Sequence, residues 1–261
     1  MNLTDDQLDR YARHIVLREV GGIGQKKLLQ SKVLVVGAGG LGSPLVLYLA
    51  AAGVGTIGVV DDDVVDLSNL QRQIAHGTRD IDRLKVDSAR DAVARINPDV
   101  TVVPYAERLT ADNVERIFGD YDLIADGSDN FSTRFLINDA CFFLKKTLVS
   151  AAMLQFEGQL STYKAHQGPE HPCYRCIFPA PPPPDVAQTC GEAGILGALA
   201  GAMGSLQGIE VLKELLGIGD SMSGSLLIYD ALATNFRKVK VRRDPGCSLC
   251  GDTPTITGLS E

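Results

Sequence analysis

Basic residues are in short supply in this 261-residue chain: 25 Lys and Arg stand against 32 Asp and Glu, for a formal net charge of −7. That balance excludes an unassisted binder of nucleic acid or of an anionic membrane, because phosphates demand a surplus of cations. A polyanionic ligand must therefore be met by a local cluster of Lys and Arg. Cysteine is scarce as well; six residues are too few for a disulfide scaffold in a chain this long. The first residues, Met1 to Asp6, are acidic and carry no apolar run, which argues against a secretory signal and predicts a cytoplasmic protein. Internal repeats and linkers are also lacking, so residues 1–261 are expected to form one domain. Apolar residues, at 45% of the chain, are plentiful. A chain of 27.9 kDa buries roughly 70–75% of its unfolded surface, which excludes disorder, collagen and coiled coil.

Residues 33–60 contain no charge and are long enough to span a bilayer, but their internal pattern is that of strand, glycine turn, helix and strand. A β-branched run at 32–36 leads into Gly37-Ala38-Gly39-Gly40-Leu41-Gly42, a helix starts near Pro44, and a second β-branched run at 56–60 ends in Asp61-Asp62-Asp63. The alternation continues with a helix at 83–96, strands at 100–103 and 122–125, a helix at 131–143 and strands at 147–150, 159–164, 225–230 and 236–242. These predict an α/β fold: a Rossmann-like doubly wound sheet, parallel in its first half, with antiparallel additions in the second. Two segments break the rhythm. Residues 166–188, rich in proline, read as an exposed extended loop, and residues 193–216, studded with glycine, read as a close-packed buried helix. Thr4-x-x-Gln7 is a capping box that opens an N-terminal helix, whose Arg10, Arg13 and Arg18 read on their own as a solvated face.

Gly37-x-Gly39-x-x-Gly42, preceded by a strand and followed by a helix, satisfies the dinucleotide fingerprint, and Asp61 at the end of the next strand lies where a carboxylate takes a ribose hydroxyl. The motif alone does not separate NAD, ATP and flavin. The residues that follow do: hydride transfer needs no cations over the phosphates beyond the helix dipole, whereas nucleotidyl transfer must neutralise charge on the α-phosphate and the leaving pyrophosphate. Arg72, Lys85 and Arg134 are the candidate cations, and Asp129, at the carboxyl end of a parallel strand, is the candidate Mg²⁺ ligand.

The pairs Cys173-x-x-Cys176 and Cys247-x-x-Cys250 supply four thiolates for a closed tetrahedral Zn²⁺ site, structural because no coordination position remains open. Both pairs lie in loop sequence beside Pro172 and Pro245-Gly246, unlike a redox dithiol at a helix start. His171, beside Cys173, is an alternative ligand. Cys141 reads as a small buried hydrophobe. Cys190 precedes the glycine-rich helix, whose dipole favours a thiolate, and stands between an inert loop cysteine and a nucleophile.

Taken together in order, Gly37 to Gly42, the run from Asp61 to Arg72 with its Ser-Asn-Leu-Gln-Arg, Lys85, Asp126-Gly127-Ser128-Asp129-Asn130, Cys173-Tyr174-Arg175-Cys176, Thr189 to Gly194 and Asn235-Phe236-Arg237 resemble the MoeB/ThiF/HesA family, bacterial relatives of ubiquitin-activating enzymes. The resemblance covers about residues 8–251. It implies adenylylation by ATP of the C-terminal glycine carboxylate of a ubiquitin-like sulfur carrier ending in Gly-Gly. By the same resemblance, Gly37, Gly39, Gly40, Gly42, Asp61, Asn69, Arg72, Lys85, Asp129, Asn130 and Arg134 meet the nucleotide. Arg72, Lys85 and Asp129 are catalytic, with Arg13 reaching the ATP of the partner subunit in a homodimer. The halves at about 1–150 and 151–261 would then serve nucleotide binding and zinc and carrier binding respectively. A MoaD-like carrier in molybdopterin synthesis and a ThiS-like carrier in thiazole synthesis both fit, with sulfur from a donor such as a cysteine desulfurase or rhodanese. In ThiF-type relatives a cysteine matching Cys190 bonds covalently to the carrier; in MoeB-type relatives it is dispensable. One departure concerns Lys85, which follows Asp82-Arg83-Leu84 where relatives commonly carry a glycine-containing turn. An NAD oxidoreductase and a non-catalytic carrier-binding scaffold are the more distant readings.

Overall fold

The computed structural model describes residues 3–182 and 194–259. Three short helices open the chain: α1 (Asp5–Arg10), α2 (Ala12–Ile15) and α3 (Gly21–Gln30). There follow β1 (Lys32–Val36), α4 (Gly42–Ala52), β2 (Thr56–Val60), α5 (Lys85–Ile96), β3 (Thr101–Tyr105), α6 (Ala111–Phe118), β4 (Leu123–Asp126), α7 (Phe131–Phe143), β5 (Thr147–Leu154) and β6 (Glu157–Tyr163). After the undescribed residues come α8 (Gly197–Leu216), β7 (Ser225–Asp230) and β8 (Asn235–Lys240). The strands form one sheet in the order β3-β2-β1-β4-β5-β6-β7-β8. Pairings among the first five are parallel and the remainder antiparallel, as the patterning predicts.

Alternation along β1 shows why this sheet is covered on both sides. Val33 and Val35 pack into a core with Leu45, Leu49, Val93 and Met203 under α4, α5 and α8. Leu34 and Val36 face the opposite core, with Val114, Ile117, Phe118 and Ile137 from α6 and α7. The glycine-rich segment is the close-packed helix expected of it. At Gly204 a Cβ would stand 2.5 Å from the Leu41 carbonyl oxygen and from Pro44 of α4, so only glycine admits this approach.

Differences from the sequence reading have local causes. Helix α6, absent from the elements read above although Val114, Ile117 and Phe118 stand at helical spacing behind the Thr110 cap, is eight residues long and gains its stability by burying those three side chains. Strand β3 runs on through Pro104, which an edge strand tolerates because one side of its backbone pairs with nothing. The segment expected to be an exposed loop is partly interior: Pro172, Cys173 and Tyr174 are buried, and Tyr174–Cys176 forms a 3-10 turn. No helix among the described residues is long and apolar enough to cross a membrane.

Candidate nucleotide site and metal centre

Strand β1 ends in the glycine turn. Gly37 has φ +93°, and at Gly42 a Cβ would run into the Gly37 carbonyl oxygen, so the chain can reverse into α4 this tightly only with glycine at both positions. The neighbouring strand end comes equally close: Gly127 N–H donates to Val36 O at 2.9 Å, and the Gly127 carbonyl lies against Gly37. Asp126, buried, anchors this second turn. Its carboxylate accepts from Ser128 N at 2.9 Å, Ser128 Oγ at 2.6 Å and Ser150 Oγ at 2.7 Å. Gln207 of α8 donates to the carbonyls of Asp126 and Val149, tying the glycine-rich helix to the end of β4 and to β5.

Asp61, at the end of β2, accepts from Ala38 N at 2.7 Å and from Asp63 N at 3.0 Å. Lys85 opens α5 and is buried, its Nζ 2.7 Å from Asp63 Oδ2 and 4.0 Å from Asp61 Oδ1. The sequence departure before Lys85 resolves here. Asp82 itself takes the left-handed conformation, φ +68°, that a glycine would supply, and its N–H donates to Val65 O at 2.9 Å. Burial pushes the Asp61 carboxyl above the ordinary aspartate range; Lys85 and the two amides work in the opposite direction.

Of the residues expected to meet the nucleotide, Gly37, Gly39, Gly40, Asp61, Arg72, Lys85, Asp129 and Arg134 line one cavity of about 80 Å³. Arg72 is steadied by Ser68 O at 3.1 Å, and Arg134 by Ser128 O at 2.7 Å. Asp129 is exposed and its carboxylate accepts no hydrogen bond among the described residues, which suits an oxygen ligand for a hard cation. The others stand differently. Gly42 shapes the turn from beneath. Asn69 uses its side-chain oxygen to accept from Asp66 N. Asn130 caps α7 by accepting from Thr133 N at 2.9 Å and, with Asp61 and Leu109, lines an adjoining cavity of about 240 Å³. The reading of the sequence missed Gln73 and Met153, which also line the central cavity. Gln73 is buried with its amide oxygen unpaired, and its place in the 61–73 run was the available signal. A third cavity, about 200 Å³ and largely apolar, shares Asp129, Arg134 and Met153 and runs between Tyr163, Tyr174 and Phe178.

Arg13 does not join this group. Tyr11, two residues before it, packs on Gly53 at the C-terminal end of α4 and accepts from Asn97. The glycine turn is at the other end of that helix, about 16 Å away at 1.5 Å per residue. Arg13 is exposed, as is Arg18, while Arg10 donates to Ile96 O. Cys190 lies outside the described residues. Cys141 is buried, and burial pushes its thiol pKa up, as expected of an inert core residue.

The four paired cysteines converge. Their sulfurs lie 3.4–3.9 Å apart across Cys173–Cys176, Cys173–Cys247, Cys176–Cys250 and Cys173–Cys250. A tetrahedron with Zn–S bonds of about 2.3 Å puts sulfurs about 3.8 Å apart, so the donor set fits zinc. Four crowded thiols cannot all ionise without a cation: hydrogen bonds from its neighbours draw Cys176 far down while Cys173 is driven up. His171 is not a fifth member; its Nδ1 pairs with Ser223 Oγ at 2.9 Å. The first pair is held on α7, where Asn138 accepts from Tyr174 N and Asp139 takes Arg175 in a two-point ion pair.

Residues 11–249 match the model of the ThiF family. The chain belongs to that family. It is 49% identical over 98% of its length to a sulfur carrier protein adenylyltransferase of Thermus thermophilus, of which it covers 95%. It is 47% identical over 97% of its length to the SAMP-activating enzyme E1 of Haloferax volcanii, covering 92% of that protein. Against the adenylyltransferase and sulfurtransferase MOCS3 of Sus scrofa it is 48% identical but spans just over half of the relative, 56%. These relatives place the chain among the nucleotidyltransferases. The crystal structure of E. coli MccB with ATP shares the fold, with a TM-score of 0.79 at 19% identity over 95% of this chain and 75% of that one.

Two outcomes are expected. Cys176→Ser should lose most of a complement of about one zinc ion per chain, read by metal analysis, and should melt at lower temperature, because metal ligation is folding free energy. For Asp61, the folded state holds the proton more tightly than the unfolded chain, so stability attributable to this group declines as pH rises through its folded pKa. Asp61→Asn should remove that decline from the pH profile in urea titrations, at the cost of one of the two acceptors that the Ala38 and Asp63 amides use.

Proposed function

We propose that the chain transfers AMP from ATP to the C-terminal carboxylate of a ubiquitin-like sulfur carrier ending in Gly-Gly, for sulfur transfer in molybdopterin synthesis in the cytoplasm. The observation that carries this reading is the gathering of Arg72, Lys85, Arg134 and Asp129 around one glycine turn. A carrier carboxylate is already ionised near neutral pH, so no general base is required. Its oxygen bonds to the α-phosphorus, the bond from that phosphorus to the bridging oxygen breaks, and pyrophosphate leaves with the electron pair. The product is a mixed anhydride, which turns a poor electrophile into a good one.

Asp61 takes the ribose hydroxyls, the glycine-turn amides and the α4 N-terminus take the phosphates, and Lys85 exchanges Asp63 for a phosphate oxygen. Arg72 and Arg134 stabilise charge on the α-phosphate and leaving group. Mg²⁺ held by Asp129, when bound, neutralises the triphosphate. The apolar cavity beside Asp129 and Arg134 suits a narrow, uncharged Gly-Gly tail. The two halves divide the work, nucleotide at about 1–150, and zinc and carrier at about 151–261. A ThiS-like carrier fits the same geometry. Sulfur comes from a separate donor such as a cysteine desulfurase or rhodanese; the relatives that include MOCS3 are also named sulfurtransferases. By the family resemblance Arg13 serves the ATP of a partner subunit, so the chain acts as a homodimer; the remoteness of Arg13 from its own cavity suits that role.

Exchange of labelled pyrophosphate into ATP should require a Gly-Gly carrier and fall at least about 10²-fold in Asp129→Ala. NADH-dependent turnover, or full exchange without carrier, contradicts the reading. Arg13→Ala and Asp129→Ala, each inactive alone, should recover about a quarter of wild-type activity when unfolded together and refolded, because half of the dimers then contain one intact site.

A further inference from the structure

His76 is the one histidine buried beside the cavity, and it does not line it. Its Nε2 is 2.9 Å from Ala38 O and its Nδ1 is 2.9 Å from Ser88 Oγ on α5. A carbonyl only accepts, so Nε2 carries the proton and donates to Ala38, while Nδ1 pairs with the Ser88 hydroxyl, which also bonds the Asp80 carboxylate. Burial and the nearby Lys85 hold the His76 pKa below the ordinary histidine value, outweighing the opposing effects of Ala38, Asp61 and Asp80.

The Ala38 N–H is held in turn by Asp61 at 2.7 Å. Both backbone polar groups of Ala38 are thus gripped by side chains from different parts of the chain. The geometry has a directional consequence. In a planar trans peptide the N–H points opposite to the C=O. Drawing Ala38 C=O inward to His76 therefore turns the Gly39 N–H outward, toward the cavity that Gly39 lines. That N–H makes no hydrogen bond among the described residues. Without the imidazole, Ala38 O would be a buried, unpaired acceptor, and the peptide would gain by rotating to find another donor, taking Gly39 N–H with it.

We propose that His76 is a positioning residue that aims the Gly39 amide at a phosphate oxygen of the bound nucleotide. This rests on the cavity being an ATP site. It assigns His76 no contact with ATP and no proton transfer: it sets the orientation of a donor before the ligand arrives, and Ser88 sets the orientation of His76.

The test measures ATP affinity, with Mg²⁺ present, by calorimetry on wild type, His76→Leu, His76→Gln and Ser88→Ala, together with KM for ATP, KM for carrier and kcat. His76→Leu should bind ATP about tenfold more weakly, the scale expected when a buried carbonyl loses its donor, with KM for carrier within about twofold of wild type. His76→Gln, which keeps an N–H able to reach Ala38 O, should recover most of the loss. Ser88→Ala, which frees the ring to take the other tautomer, should lose about threefold. A purely structural role predicts parallel loss for both substrates and a fall in melting temperature that Gln does not repair. Folded His76→Leu with ATP affinity within twofold of wild type, or equal losses for ATP and carrier, overturns the proposal. If His76→Leu does not fold, unchanged ATP affinity in Ser88→Ala overturns it. Wild-type protein that binds no ATP overturns the functional reading and this one together, whereas strong ATP binding indifferent to His76 overturns this one alone.

Discussion

Two chain reversals at the carboxyl ends of adjacent parallel strands pack backbone against backbone, and the rest of the site depends on that contact. The turn after β1 and the turn after β4 touch at Gly37 and Gly127, with Val36 O accepting from Gly127 N–H and Val60 O from Gly37 N–H. The parallel ladders of β1 with β2 and β4 thereby extend past the strands themselves. A Cβ at Gly37 would stand 2.9 Å from the Gly127 carbonyl oxygen and force the turns apart. The buried Asp126 then pins the second turn to β5 through Ser150, and Gln207 pins the end of β4 and the body of β5 to α8. Asp129 and Arg134 are placed by this lattice, and Asp61 arrives at the end of β2 on the other side of β1.

Charge is arranged around that frame in a way that favours a ligand over the empty protein. Lys85 is almost entirely buried between Asp61 and Asp63. Desolvating Lys85 and Asp61, with Asp63 left largely exposed, is a poor use of electrostatic energy for stability alone. Burial raises the Asp61 carboxyl even with a lysine and two amides nearby. A phosphate that displaces the exposed Asp63 from Lys85 would bring the buried ammonium a partner of higher charge. A perturbed carboxyl of this kind beside a concave surface marks a candidate binding site.

The cysteine cluster is linked to the site through α7. Tyr174 lies between two of the cluster sulfurs in sequence, is held by Asn138, and packs edge-on against Phe135 and Tyr163. It also lines the apolar cavity beside Arg134. Arg175, its neighbour, is clamped by Asp139 and lies over Phe135. One helix therefore carries at its N-terminus the residues that line the glycine-turn cavity and along its length those that seat the first cysteine pair. The segment after β8 reaches back to the same loop through Asp244, whose N–H meets Cys176 Sγ, and Arg243 secures the second cysteine pair by donating to Cys250 O.

Local periodicity carries short-range information, and so the residues alone determined the parallel first half, the bounds of β1, β2, α7 and β7, the glycine turn with Asp61, and the pairing of four cysteines into one donor set. Those features follow from spacings within a dozen residues, or from ligand chemistry so restrictive that it overrides distance in the chain. What only the tertiary structure decided depends on contacts between distant segments. Helix α6 is stable because a core receives its buried face. Lys85 reaches Asp61 because Asp82 accepts a left-handed backbone. Tyr174 is interior although prolines surround it. Arg13 is remote from its own cavity because the N-terminal helices pack on the far end of α4. The places of Gln73 and His76, neither of which carries a motif of its own, emerge only when α5, the loop before it and the glycine turn are brought within hydrogen-bond reach, a proximity that sequence spacing does not encode.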